Sequence, residues 1–182
     1  MWYFRRKKEH MKNISLLLLV VSLFLACESG LSPAQSKLLK EIENLEQQLL
    51  QVTDANKSKE YALLLIEKTV QYAKDYPQDE RTPTLLFNAG EVAKKVREYG
   101  KAVELWGQVW RDYAKHPKAP MALFLQGSTF GSILNDPAMA TKYYKKFLAT
   151  YPNDTALTEQ VKKLLSAVKT EPRLIIENTV TE

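Results

Sequence analysis

The chain has 182 residues, of which 45% are hydrophobic and 26% charged, enough apolar material for one folded domain with appendages and too much for wholesale disorder. Five basic residues and one acid lie in residues 1–26, so of the formal net charge of +5 only +1 remains for residues 27–182. That balance argues against a nucleic-acid partner, which would require a basic face on the folded part.

The amino-terminal segment has the pattern of an export signal. Residues 1–12 are cationic, and ISLLLLVVSLFLA at 14–26 is an uncharged run that ends directly before Cys27. Such a run has the length of a signal-peptide core and falls short of the roughly 20 residues that span a bilayer. Met11 is an alternative start to Met1, because the residues from Met11 onward form a complete signal by themselves.

The residues LFLAC at 23–27 resemble the lipobox of bacterial lipoproteins. The resemblance implies that residues 1–26 are a signal peptide and that Cys27 carries a covalent lipid, with residues 27–35 as a polar tether. The resemblance also implies cleavage between Ala26 and Cys27 and acylation of the amino group that cleavage exposes. Stable anchoring requires more than one acyl chain. Retention of such lipoproteins in the inner membrane prefers Asp directly after the cysteine, and this chain has Glu28 there. The resemblance therefore favours the outer membrane, with the protein facing the periplasm. The alternatives are an uncleaved signal anchor and a cysteine without a special role.

Apolar residues with a helical period follow the tether. They recur every three or four residues at Leu38, Ile42, Leu45, Leu49 and Val52. This stripe is shorter than the three to four heptads of a coiled coil and predicts a first helix packed against its neighbour. A structural oligomer through residues 36–52 is the alternative. Residues 52–58 interrupt the pattern, and a second helix is predicted from about 58 to 75.

Two stretches of the chain repeat each other. PTLLFNAG at 83–90 matches PMALFLQG at 120–127 at an offset of 37 residues. A second match has an offset of 38 residues. It pairs Ala102 with Ala140, Trp106 with Tyr144, Val109 with Phe147 and Tyr113 with Tyr151. A fainter copy precedes them and ends in YP at 76–77, as the last copy does at 151–152. Units of this length, each two helices long, predict an all-α helical solenoid.

These units resemble tetratricopeptide repeats, in particular those of bacterial envelope proteins whose second helix ends in YP. The resemblance implies a right-handed helical-hairpin solenoid. It would have about three repeats, at about 36–77, 83–117 and 118–152. A capping helix at 154–168 and a tail at 169–182 would follow. In that family a small residue of the first helix lets an aromatic residue of the second approach closely. Gly90 with Trp106 and Gly127 with Tyr144 fit those roles.

Proline residues mark where several predicted helices begin and where the helical pattern ends. The prolines at the expected helix starts are Pro83, Pro120 and Pro137, where a missing N–H is tolerated. Pro172 ends the helical pattern, and LIIENTV at 174–180 favours an extended conformation. We expect this tail to be mobile or folded on the cap, or to add a strand to a partner's sheet.

The sequence contains no recognisable catalytic or metal-binding motif. His116 is the only histidine after Cys27, which is itself the only cysteine. A general base needs a nucleophile in reach, and a metal needs several ligands. We therefore expect no enzyme activity, no metal and no cofactor, and we expect His116 to be an ordinary loop residue. An envelope enzyme or small-ligand binder is the less favoured alternative.

The repeat resemblance implies peptide binding on a concave face formed by the first helix of each repeat. The corresponding residues are Thr84, Phe87, Glu91, Lys94 and Lys95 in the second repeat, and Met121, Phe124, Ser128, Gly131 and Ser132 in the third. Phe87 and Phe124 are the expected anchors, with the lysines able to engage an acidic group. Alternatively, both phenylalanines belong to the core.

Together these features predict a non-catalytic, lipid-anchored periplasmic scaffold that mediates protein–protein interactions in assembly or maintenance of the cell envelope. The chain resembles two families of envelope repeat proteins. One is the lipoprotein subunit of the β-barrel assembly machinery, the BamD type, and the other is the periplasmic repeat protein of the Tol–Pal system, the YbgF type. The resemblance implies partners in barrel assembly or in the Tol–Pal and peptidoglycan machinery.

Overall fold

A computed structural model describes residues 30–170, with side chains up to residue 168. Within residues 30–170 the chain forms only helices and no strand, which confirms the all-α prediction. The helices are α1 (Pro33–Gln51), α2 (Ala55–Asp75), α3 (Thr82–Lys95), α4 (Tyr99–Asp112), α5 (Ala119–Ser132), α6 (Pro137–Thr150) and α7 (Thr155–Thr170). The predicted signal peptide, Cys27 and the segment 174–180 lie outside the described residues.

The chain divides into two compact units, Met1–Ser36 and Lys37–Glu182. In the described part of the first unit, Ser32 directly precedes α1, and its Oγ accepts a hydrogen bond from the backbone N–H of Gln35 at 3.1 Å. This is the usual way in which a serine satisfies an N–H group at the start of a helix. All the features described below belong to the second unit.

Short connections separate the helices, and several helices begin with a proline or a capping side chain. As expected, a proline lies in the first turn of α3, α5 and α6, at Pro83, Pro120 and Pro137. Side-chain carboxylates accept from a backbone N–H at the start of α2, α6 and α7, and they belong to Asp54, Asp136 and Asp154. The cap at Asp54 explains why α2 begins at Ala55, slightly earlier than the sequence predicts.

Helices that follow each other in the chain pack against each other from α2 to α7, and α7 also contacts α5. Helix α1 joins α2 through side chains, because Leu38, Leu39 and Ile42 form a buried cluster with Tyr72. An ion pair adds to this contact, with Lys68 Nζ 2.9 Å from Glu41 Oε2. The apolar stripe of α1 is therefore used inside the chain, as a first helix packed on its neighbour requires.

The closest helix contact is that between α3 and α4. Trp106 is fully buried, and a Cβ atom built at Gly90 would lie 2.4 Å from its Nε1. The indole N–H donates to the backbone oxygen of Phe87 at 3.3 Å. In α5 and α6, a Cβ atom at Gly127 would lie 3.0 Å from Tyr144 Cδ1. Both expected approaches of an aromatic ring to a glycine are thus present.

A buried glutamine joins α4 to α5. Gln126 is 2% exposed, yet its amide accepts from Trp110 Nε1 at 2.7 Å and donates to the backbone oxygen of Val103 at 2.9 Å. Buried polar groups are tolerated when hydrogen-bonded in this way. The pair of bonds fixes α5 against α4 in one position along the helix axis.

Two tyrosines each tie an interhelical turn to the turn two helices earlier in the chain. Tyr113 follows α4, and its hydroxyl donates to the backbone oxygen of Pro77 at 2.9 Å. Tyr151 follows α6, and its hydroxyl donates to the backbone oxygen of Ala114 at 3.3 Å. The two bonds span 36 and 37 residues, so the sequence period has a matching structural period.

We predict that Gly90→Ala lowers the free energy of unfolding by roughly 1–3 kcal/mol, the usual cost of forcing an atom into a packed core. The added methyl group would collide with the buried Trp106 ring, which has no free space to move into. Chemical denaturation followed by circular dichroism measures the change.

The matched control is Gly100→Ala in the first turn of α4, where an added Cβ meets nothing within 4 Å. Alanine suits a helix better than glycine, so this variant should be as stable as the parent or more stable. Equal destabilisation by both substitutions would contradict the role given to the Gly90–Trp106 contact.

Candidate functional site

An open cavity of about 540 Å³ lies between α1 and α3. Leu39, Ile42 and Leu85 give it an apolar floor. Three acidic residues also line it, Glu43 and Glu46 from α1 and Glu80 from the turn before α3. The remaining lining residues are Arg81, Thr84, Asn88 and His116.

A second cavity of about 390 Å³ adjoins the first, since Glu46 lines both. Its lining is mainly apolar and includes Leu49, Leu50, Ala62, Leu65, Val92 and Val96, together with the polar residues Gln47, Ser58 and Lys95. Among the residues that line it, Leu50 is 79% exposed. We call the two cavities together the α1–α3 groove.

Helical spacing explains why these residues share one face. On α1, Glu43, Glu46 and Leu50 follow each other at three or four residues, beside the buried stripe that faces α2. On α3, Thr84, Asn88, Glu91 and Lys95 are spaced in the same way. Residues three or four apart are neighbours on a helix surface, so each helix presents one continuous edge to the groove.

An ion pair in the turn between α2 and α3 shapes one end of the groove. Asp79 accepts from the backbone N–H of Arg81 at 2.9 Å and from its Nε at 2.7 Å. These hydrogen bonds from Arg81 lower the pKa of Asp79 to about 2. The charge of Arg81 is therefore balanced within the turn before any ligand enters the groove.

His116 joins the turn before α5 to α3. Its Nδ1 accepts from the backbone N–H of Lys118 at 3.2 Å, so in the neutral ring the proton is on Nε2, which lies 3.4 Å from Thr84 Oγ1. Burial and the nearby charge of Lys118 lower the pKa of His116. The ring is thus neutral at pH 7 and connects the turn before α5 to helix α3.

Two carboxylates lie in unfavourable surroundings. Partial burial raises the pKa of Glu46, which lines the groove, and the neighbouring charge of Glu43 raises it further. On α3, Glu91 Oε1 is buried and has no hydrogen-bond partner within the described part of the chain, although Glu91 lines neither cavity. The buried acceptor costs free energy inside the fold, whereas Glu46 would gain from a nearby cation.

The structure brings together some of the predicted peptide-binding residues of the second repeat. Thr84 lines the first cavity and Lys95 the second, with Glu91 between them on the same edge of α3. Lys94 is half-buried and lies outside both linings.

Phe87 and Phe124 lie in the core. They are 7% and 8% exposed and belong to two separate clusters of buried side chains. Lys118 Nζ lies 4.8 Å from the centre of the Phe87 ring and covers it further. Anchoring a ligand would require an exposed ring face, which neither residue has, so the core interpretation of the two phenylalanines holds.

The predicted residues of the third repeat do not line the groove. Met121 is 37% exposed on α5. Ser132 Oγ donates to the backbone oxygen of Ser128 at 2.6 Å, and the Ser128 side chain is hydrogen-bonded to Tyr144. Gly131 faces Ala140, whose Cβ would be 3.2 Å from an added Cβ. These contacts serve helix packing.

Sequence reasoning missed the contribution of α1 and of the turns. Glu43 and Glu46 stand beside the apolar stripe of α1, and this acidic edge was the signal available in the sequence. Glu80 and His116 come from different turns, and only the folded chain brings them to the same cavity.

Within residues 30–170, no three His, Cys, Asp or Glu residues form a group that could hold a metal ion. The same residues include no helix with the length and apolar character needed to cross a membrane. No protein-family model matches the chain, and comparison with curated proteins finds no relative.

We predict that Asp79→Asn lowers the melting temperature at pH 7 and that the difference from the parent disappears near pH 2. The pKa of Asp79 in the folded chain, about 2, lies below the ordinary value of 3.8. The ionised carboxylate therefore stabilises the fold above about pH 4, and this contribution is lost as the pH falls towards 2.

The control is Asp75→Asn, which removes an exposed acid at the end of α2. An acid near a helix C-terminus is unfavourable, so this variant should not lose stability at pH 7. A pH-independent effect of Asp79→Asn would contradict the role of its charge.

Proposed function

We propose that the chain is a non-catalytic, lipid-anchored scaffold of the bacterial envelope that holds partner proteins in the α1–α3 groove on the periplasmic side of the outer membrane. The observation that carries the proposal is the groove itself. It is open, apolar along its floor and bordered by carboxylates, as expected of a surface that receives side chains of another protein.

The proposal includes a finer description of the fold, a right-handed solenoid of tetratricopeptide type with three repeats and a capping helix. Three observations support it. Helices from α2 to α7 pack in chain order, two glycines receive aromatic rings, and two tyrosines bond to the turn two helices earlier at a regular spacing. In such a solenoid α1, α3 and α5 would lie side by side and form the concave face.

A binding role fits the groove better than catalysis. Thr84 and His116 are the only hydroxyl and imidazole groups among the residues that line the first cavity. Because His116 Nδ1 accepts from the backbone, its Nε2 carries the proton and cannot accept one from Thr84. The pair therefore lacks the hydrogen-bond direction that activates a nucleophile.

A structural oligomer through residues 36–52 has little support in the folded chain. The apolar side chains of that stretch, Leu38, Leu39, Ile42 and Leu45, are buried against other helices of the same chain. Leu50 is the large apolar side chain of α1 that stays exposed.

The run LFLAC before the folded part supports lipidation of Cys27 and, with it, the envelope location. Partners would then be other envelope proteins, such as those of barrel assembly or of the Tol–Pal and peptidoglycan machinery. The resemblance to BamD-type and YbgF-type proteins is the basis for naming these two groups.

Site-specific photo-crosslinking in cells tests the groove. A benzophenone amino acid in place of Gln47, an exposed residue that lines the second cavity, should give a discrete adduct with one envelope protein. The same replacement at Gln160, which is exposed on α7, is the matched control and should give none. Identical adducts at both positions would contradict binding in the groove.

Metabolic labelling with radioactive palmitate tests the anchor. We expect the parent chain and a Ser29→Ala control to incorporate label and Cys27→Ser to incorporate none, because the thiol is the acceptor of the lipid. Label that persists in Cys27→Ser would remove the anchor from the proposal, and the location with it.

A further inference from the structure

We propose that the occupant of the α1–α3 groove is a basic segment of a partner protein, in which lysine or arginine residues flank an apolar side chain. This inference rests on the proposed function and deepens it, because it specifies the chemistry of the partner. It also reverses the expectation that lysines of this chain would engage an acidic group.

The first argument is the charge of the groove lining. Glu43, Glu46 and Glu80 contribute three carboxylates to the first cavity. Of the basic groups there, Arg81 is already bound to Asp79, and neutral His116 adds no charge at pH 7. The cavity is therefore negative as a whole and complementary to a cationic segment.

The second argument is that two acids lie together on α1. Glu43 and Glu46 are three residues apart, so both point from the same edge of the helix. Two like charges at this spacing repel each other, and Glu46 is also half-buried. A cation placed between them would relieve the repulsion, which a neutral or acidic ligand would not.

The apolar floor specifies the rest of the segment. Leu39, Ile42 and Leu85 line the first cavity, while Leu49 and Val92 line the second. Burial of an apolar side chain of the partner segment against either surface would be favourable, because it removes apolar area from water. An acidic segment would meet one lysine, Lys95, in the second cavity, and three carboxylates along the first, one of which, Glu46, also lines the second.

Fluorescence anisotropy with three labelled peptides of equal length tests the inference on the full chain in detergent. The peptides alternate leucine with lysine, with glutamine or with glutamate. We expect the lysine peptide to bind roughly tenfold tighter than the glutamine peptide in low salt and the glutamate peptide to bind most weakly, since several partly exposed charge pairs add up to such a factor.

Matched double variants locate the binding. Glu43→Gln with Glu46→Gln should weaken the lysine peptide by roughly threefold to tenfold, the range expected for losing two such pairs. Glu60→Gln with Glu67→Gln makes the same change of net charge on the exposed face of α2 and should leave the affinity unchanged. Circular dichroism verifies that both variants keep the helical content of the parent.

Three results would overturn the inference. These are equal affinity for the lysine and glutamine peptides, preference for the glutamate peptide, and equal weakening by the two double variants, which would indicate a general charge effect. If one of them occurs while Gln47 still crosslinks a partner, the scaffold function stands and the basic occupant fails. If the lysine peptide binds in the groove while Gln47 crosslinks nothing, the occupant chemistry stands and the cellular function fails.

Discussion

The contact between the Trp106 ring and the backbone at Gly90 is the constraint on which the rest of the structure depends. The indole fills the space in which any other residue would hold a Cβ atom, and its N–H is bonded to Phe87 O. A helix is rigid over its length, so this contact fixes both the separation and the rotation of α3 against α4. The edge of α3 that carries Thr84 and Asn88 is thereby turned towards α1.

The turns extend this order from the core to the groove. The hydroxyl of buried Thr82 donates to the backbone oxygen of Tyr76 at 2.7 Å, and the Asp79–Arg81 ion pair stiffens the same turn. The turn between α4 and α5 is joined to it by the hydrogen bond from Tyr113 to Pro77. Glu80 and His116 lie in these two turns, so bonds that hold the helices in place also position one end of the groove.

The groove contrasts with the core in how its polar groups are satisfied. Inside, Gln126 has partners on both sides of its amide, as a stable interior requires. At the groove, Glu46 is half-buried beside another acid, Glu43. Local violations of this kind are expected where a surface is built for a ligand and the rest of the fold supplies the stability.

The sequence by itself determined the seven helices of residues 30–170 and their glycine–aromatic pairs. Helical spacing, the prolines at helix starts and the repeated glycines are local signals that need no knowledge of neighbouring segments. The same spacing cannot separate a buried phenylalanine from one that faces a ligand, because both lie on the apolar side of a helix. Only the tertiary structure decided that Phe87 and Phe124 are core residues and that acids of α1 and of a distant turn border one groove. Burial and charge at a site depend on the segments packed around it, and the chain has to fold before those segments meet.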